Sequence, residues 1–410
     1  MQTATALVQA PEPLQPAPIV SRWPVYAADE IAAVTQILQS GRVNALHHGD
    51  HCAALEAGFA DLCQMPHAIA LANGTLALEV ALRALGVGAG DEVVVPARSF
   101  MASASCVVAC GATPVFADID AVTQSLTPQT IAPCLTPRTK AIIVVHLAGY
   151  PGPIDEIAVM AEDLGIKLIE DCAQAHGATL DGRPVGGFGD AGAFSFCTDK
   201  IISTGGEGGL LVLRDPAVWK RAWALKDHGK DPFVVAEGGN GIAFRWLHHE
   251  IGSNYRLTEM QAAIGVIQLS RLDETIAQRR ANAAALLDAL TGLPALRLIE
   301  PDDHIGHAYY KFYAFIRPEV LKDGWTRDDV IAQARALGVP CQSGSCPEIY
   351  LEKAFTDTGM GPAERLPVSR LLGETSILLP VDPTLDVESC RQMGQLLRSI
   401  LVQATIDDAA

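Results

Sequence analysis

Between Ala68 and Leu213, short apolar runs alternate with stretches of helical spacing, and this alternation restricts the possible folds more than any other feature of the chain. Ala68–Ala72, Glu92–Val95, Pro114–Ala117, Ala141–His146, Lys167–Glu170, Ala193–Phe196 and Gly209–Leu213 read as strands. Leu76–Leu85, Ala102–Ala109 and Ile154–Leu164 read as helices between them. Strands that are apolar throughout are buried on both faces, which calls for a mostly parallel sheet covered by helices. Upstream, Ile31, Val34 and Leu38 place one helix over Ala27–Ser40, with Gly41 as its stop. A loop, Arg42–Asp50, follows; His47, His48 and the adjacent His51 have no carboxylate or Cys at metal-site spacing and read as loop histidines.

After Leu257 the pattern changes. Thr258–Leu290 reads as one long Ala-rich helical stretch able to bridge two domains, followed by a strand at Tyr309–Ile316 and helices at Arg327–Leu337 and Val387–Leu401. A chain of 410 residues exceeds one simple core. The expected division is a flexible Ala-, Gln- and Pro-rich tail (1–20), a large α/β domain (21–265) and a smaller C-terminal α/β domain (266–403).

The formal charge is -17 and Lys and Arg form no dense run, which argues against a nucleic-acid or anionic-membrane surface. No apolar run reaches the roughly 18 residues of a membrane span. The first residues lack the basic start and apolar core of a secretory signal. Ten Cys without any Cys-x-x-Cys pair fit small buried hydrophobes in a reducing cytoplasm, and no metal site is expected.

Three constellations could carry chemistry. Ala72-Asn-Gly-Thr75 joins a strand to a helix, so its N–H groups could cup a phosphate; taken alone it is more often a plain helix cap. Leu168-Ile-Glu-Asp171 ends a strand in two acids, at the strand ends where ligands of α/β sheets sit. Asp171 there could keep a heterocyclic nitrogen protonated, or cap a helix. Phe194-Ser-Phe-Cys-Thr-Asp-Lys200 places a Lys among apolar, hydroxyl and Gly residues, where a sheltered amine becomes nucleophilic. The following Gly205-Gly-Glu-Gly-Gly209 has neither dinucleotide-fingerprint nor Walker spacing, which disfavours an oxidoreductase of Rossmann type. The order of a phosphate cup, a ring-nitrogen acid and then a hydroxyl with a Lys is that of a fold-type-I pyridoxal-phosphate enzyme.

With Pro96-Ala-Arg-Ser-Phe100, Glu170-Asp-Cys-Ala-Gln174, Gly206-Glu-Gly-Gly209, Asn254-Tyr-Arg256 and Ala262-Ala-Ile-Gly265, the chain resembles the DegT/DnrJ/StrS sugar aminotransferases from about Trp23 to Pro383. The resemblance implies a seven-stranded large domain and pyridoxal phosphate held by Lys200 as a Schiff base, passing through pyridoxamine phosphate in turnover. It implies that Asp171 pairs with the pyridinium nitrogen, Gln174 lies near the ring hydroxyl and Phe100 stacks on the ring. Gly74, Thr75 and Ser195 would hold the phosphate, and Asn254 would reach the phosphate of the neighbouring subunit, making the enzyme a homodimer with shared sites.

Two positions depart from the pattern: Asn73 stands where Ser is more usual, and Gly41–Gly49 lacks the aromatic and Thr of many relatives, which weakens substrate inference there. Relatives with His in place of the Lys are sugar dehydratases; Lys200 favours transamination. The implied reaction moves an amino group from glutamate to a keto or aldehyde sugar, with a nucleotide-linked keto-sugar leading. A keto-cyclitol and the oxidised tail of an eight-carbon sugar acid of lipopolysaccharide are alternatives. A non-catalytic pyridoxal-phosphate-binding regulator is the alternative of another class. His307, Tyr309, Tyr310 and Lys311 either line the acceptor end or are ordinary strand residues.

Overall fold

The apolar runs form strands β1 (His67–Leu71), β2 (Glu92–Pro96), β3 (Thr113–Ala117), β4 (Thr139–Val145) and β5 (Lys167–Asp171). After a small hairpin, β6 (Thr179–Leu180) and β7 (Arg183–Pro184), come β8 (Ala191–Ser195) and β9 (Gly209–Leu213). The computed structural model describes residues 18–45, 49–238 and 245–406; the expected tail as far as residue 17, and His47 and His48, lie outside them. Seven strands make one sheet in the order β1-β9-β8-β5-β4-β2-β3. β9 runs antiparallel to both neighbours, whereas β8, β5, β4, β2 and β3 pair in parallel. β2 and the inner part of β4 are rich in Val and Ile and completely buried, as β-branched strands between two helical layers should be. Gly74–Ala84 buries Leu78, Val80, Ala81 and Leu82 against the sheet, and Ile154–Leu164 buries Ile154, Ile157 and Ala161.

Sequence and structure differ in places, each with a physical cause. Asp50 opens a helix, Asp50–Cys63, rather than ending a loop; its buried Cys52, Leu55, Phe59 and Cys63 stand at helical spacing, a signal that sequence reasoning passed over. His51 belongs to that helix, and its backbone N–H and ring Nδ1 lie 2.8 and 3.0 Å from Glu259 Oε2. The expected long helix is two, Glu259–Ser270 and Leu272–Leu290. Arg271 leaves helical geometry (φ -106°, ψ 5°) and pairs with Asp29, while Asp273 and Glu274 suit the dipole of a new first turn.

Beyond the second of these helices lie β10 (Leu296–Leu298), β11 (Ile305–Gly306), β12 (Phe312–Ile316) and β13 (Ser376–Leu379). β12 pairs antiparallel with β10 and β13, and β11 pairs with β6. The strand expected from Tyr309 starts at Phe312, because Tyr309 occupies the left-handed region (φ 46°). The terminal helix, Val387–Ala404, packs on Leu272–Leu290, and Leu286, Leu290, Met393, Leu397 and Leu401 join one core. Among the described residues no helix is long and apolar enough to cross a membrane. All ten Cys are free thiols, and Cys52, Cys63, Cys106, Cys172, Cys341 and Cys390 are buried.

Candidate active site

The C-terminal ends of β1, β5 and β8 meet at a cavity of about 610 Å³. Leu71 closes β1, and after two intervening residues the helix Gly74–Ala84 begins. Asn73 Oδ1 accepts the Leu76 N–H at 2.9 Å, so Asn73 is a true cap. Helix geometry leaves the amides of Gly74 and Thr75 without an intrahelical acceptor, at the positive end of the dipole. The cap and the phosphate cup are therefore compatible. Gly74 is required by close approach: a Cβ there would stand 2.7 Å from Ser195 Cβ. Ser195, the last residue of β8, completes the rim, and its Oγ accepts the Cys197 N–H at 3.4 Å.

Asp171 is the final residue of β5 and is buried. No described helix starts at it, so the capping alternative does not hold. One carboxylate oxygen accepts Ser103 Oγ–H at 2.8 Å and the other the Ala173 N–H at 3.2 Å. Burial raises this carboxyl above its ordinary value, against the opposing pull of those two hydrogen bonds and of Lys200. Gln174 Oε1 accepts the Ala148 N–H at 2.7 Å, which leaves its amide N–H groups to donate into the cavity.

Lys200 follows a tight turn, with its N–H donating to Cys197 O at 3.0 Å and its carbonyl accepting Trp23 Nε1–H at 2.9 Å. Its side chain is largely covered, and Nζ lies 3.6 Å from Asp199 Oδ1 and 5.0 Å from the centre of the Tyr310 ring. Gly74, Thr75, Phe100, Asp171, Gln174, Ser195 and Lys200 thus line one cavity. Phe100 is 67% exposed at its mouth, a position open to a planar ligand. Asn254 does not line the cavity: it bridges Asp227 elsewhere and is exposed.

Sequence reasoning missed Ser103, Asp199 and Glu207, all on the cavity wall. Ser103 had a signal, since it lies four residues beyond Ser99 of the Pro96-Ala-Arg-Ser-Phe100 motif, whose Oγ is 2.9 Å from its own. His146, Glu170 and Cys172 also converge, fully buried, behind β5. Glu170 already accepts the N–H groups of Gly186, Phe188 and Gly189, so it serves as the anchor of that loop.

A sequence model of the DegT/DnrJ/EryC1/StrS aminotransferase family matches residues 24–398. The chain belongs to this family. It is 38% identical over 330 residues to L-glutamine:2-deoxy-scyllo-inosose aminotransferase of Streptomyces fradiae, covering 79% of this chain and 77% of that one. It is 35% identical over 354 residues to a UDP-N-acetyl-3-dehydro-alpha-D-glucosamine 3-aminotransferase of Acidithiobacillus ferrooxidans, with 86% and 89% covered. Among solved structures, an aminotransferase from Psychrobacter cryohalolentis superposes with a TM-score of 0.91 at 46% identity, covering 94% of this chain and 99% of that one. This member of the family is therefore a pyridoxal-phosphate-dependent aminotransferase with the fold-type-I architecture.

The residues present fit the cofactor. A protonated ring nitrogen facing Asp171 would offset the desolvation that raises its carboxyl. The free amides of Gly74 and Thr75 suit a phosphate, and Lys200 shares the same cavity wall.

Proposed function

We propose that this aminotransferase moves an amino group from glutamate to a keto or aldehyde sugar, with a nucleotide-linked keto-sugar as the leading acceptor class. One observation carries the reading of the site: Lys200, the Asp171 carboxyl and the helix start at Gly74–Thr75 share one cavity. In this reading Lys200 holds the cofactor covalently and Asp171 pairs with the pyridinium nitrogen. Gln174 donates toward the ring hydroxyl, Phe100 covers the ring, and Gly74, Thr75 and Ser195 hold the phosphate. Bound pyridoxal phosphate supplies an electron sink for the carbanion at the donor carbon. Freed Lys200 then takes a proton at Nζ from the donor carbon and returns it on the other side of the exchange.

The names of the relatives support a sugar-like acceptor: one names an aminated dTDP-trideoxy-glucose, and two name a carbonyl compound, a UDP-N-acetyl-3-dehydro-glucosamine and a 2-deoxy-scyllo-inosose. The last favours a keto-cyclitol as the second reading. Surface-polysaccharide, lipopolysaccharide or antibiotic sugar synthesis in the cytoplasm is the setting we infer, and ten free thiols agree with a reducing compartment. We infer a homodimer in which Asn254 serves the partner's phosphate, since it lies away from the cavity of its own chain. We also take residues 21–265 as the large unit and 266–403 as the small one, because the latter holds its own three-stranded sheet and core.

Purified protein loaded with pyridoxal phosphate should show a visible absorption band that glutamate removes. Lys200→Ala should lack that band and lose turnover. A variant that keeps either overturns the assignment. Screening keto-sugars and inososes against the aminated enzyme then selects the acceptor.

A further inference from the structure

The amine of Lys200 has two tasks in this reading, covalent attachment and proton transfer, and only attachment fixes its position through a bond. Something else must hold Nζ once it is released. Two side chains flank it, Asp199 and Tyr310. Asp199 Oδ1 lies 3.6 Å from Nζ. The Tyr310 hydroxyl donates to the other oxygen of the same carboxylate. The Tyr310 ring lies 5.0 Å beneath Nζ, within cation–π range. Tyr310 is itself fixed, with its N–H bonded to Ala148 O at 2.8 Å and its carbonyl accepting the buried Arg279 guanidinium at 3.2 Å.

The charge states agree with this geometry. Partial burial works against the Asp199 carboxylate, but Lys200, the Tyr310 hydroxyl and Lys311 hold it below the ordinary carboxyl value. Burial and the neighbouring Asp199 push the Tyr310 hydroxyl well up, so it stays protonated and remains a donor. Asp199 is thus a persistent anion held beside the amine.

We propose that Asp199, clamped by Tyr310, is the positioning residue that docks the released Lys200 amine and stabilises it as an ammonium during proton transfer. This rests on the reading of Lys200 given above. When the donor C–H bond breaks, its electron pair is drawn toward the cofactor ring and the proton forms an N–H bond at Nζ. The resulting ammonium is neutralised by Asp199 across the 3.6 Å gap. With pyridoxal phosphate bound, it would then give the same proton up on the cofactor side of the exchange, where the electron pair held by the cofactor would form the new C–H bond, and Lys200 would be a neutral amine again. Asp199 exchanges no proton and contacts the reaction through Lys200.

Two measurements test this. In single-turnover reactions of the loaded enzyme with saturating glutamate, Asp199→Asn should slow loss of the visible band by about tenfold or more. The glutamate concentration giving half the maximal rate should stay unchanged. The effect of α-deuterated glutamate should grow, because proton transfer becomes the slow step. Asp199→Glu should recover part of the rate, and Tyr310→Phe should show a smaller loss in the same direction.

The second readout needs neither cofactor nor turnover. In cofactor-free protein at neutral pH, reductive labelling of residue 200 by a small aldehyde should be several-fold faster in Asp199→Asn, since the carboxylate that docks the amine 3.6 Å away is gone. Slower turnover with faster labelling is a pairing that a merely misfolded site does not give. A wild-type rate with glutamate, unaltered labelling, or an effect confined to the acceptor half-reaction would each overturn the proposal. If wild-type protein forms no visible band, the reading of Lys200 fails instead, and labelling still judges the Asp199 pair.

Discussion

His176 lies just beyond Asp171 and Gln174, completely buried, its ring against Phe59, Phe194 and Phe196. Burial, helped by the charges of Lys200 and Arg279, lowers its pKa to about 3. The ring is therefore neutral in the folded protein at every pH where the enzyme is expected to work. In the unfolded chain a His takes a proton near 6.5. Between pH 6.5 and about 3 the unfolded state binds more protons here, so stability falls as the pH falls. Each such group contributes a slope of about 1.4 kcal/mol per pH unit in that window. His307, lowered to about 3 by burial, acts in the same direction. His176→Phe should remove one proton's share of the slope, read from denaturant midpoints between pH 4 and 6; an unchanged slope would refute the assignment. At this scale the sequence was legible where the cavity wall is built from residues close together in the chain. Asp171, Gln174, Ser195 and Lys200 carry their context within a few residues. Tyr310 was noticed but could not be paired with Asp199, because only the fold brings them together.

Elements were legible where burial is one-sided or complete, as for the seven strands of the large sheet; the two-residue strands β6 and β7 were not. The break at Arg271 escaped because the residues on both sides are equally good helix formers, and its pairing with Asp29 on another helix is visible only in the fold. The helix Asp50–Cys63 escaped although Cys52, Leu55, Phe59 and Cys63 keep helical spacing, and strand β13 is only four residues long. The junction of β1 with the helix Gly74–Ala84 makes a prediction of its own. Gly74→Ala adds a methyl where Ser195 Cβ is 2.7 Å away and Ser195 Cα 3.1 Å, so the cup must open or β8 must shift. Alanine is otherwise favourable in a helix. The protein should stay folded while its affinity for pyridoxal phosphate drops at least about tenfold, equivalent to about 1.4 kcal/mol. Titration followed by absorbance checks this, and wild-type affinity would show that the cup tolerates a side chain.

For the whole molecule the test concerns the second copy. If Asn254 serves the partner's phosphate, each site of a two-fold dimer draws Lys200 from one chain and Asn254 from the other. Lys200→Ala and Asn254→Ala proteins, each of low activity, should then complement when subunits are exchanged. Every mixed dimer holds one site with both residues intact, so activity should rise to roughly a quarter of wild type at equal mixing. Mixing without recovery would place Asn254 in its own chain's site or outside any site.

The arrangement of β1 also dictates when the site can come into being. His67–Leu71 pairs in the sheet with Gly209–Leu213, and Ser195 and Gly209 face each other beside the Asn73–Gly74 turn. Closing so long a loop is costly in chain entropy and slow. A nascent chain emerging from the ribosome therefore cannot shape the phosphate cup until residue 213 is free to enter the sheet, and cofactor capture marks the completion of the large sheet rather than its beginning.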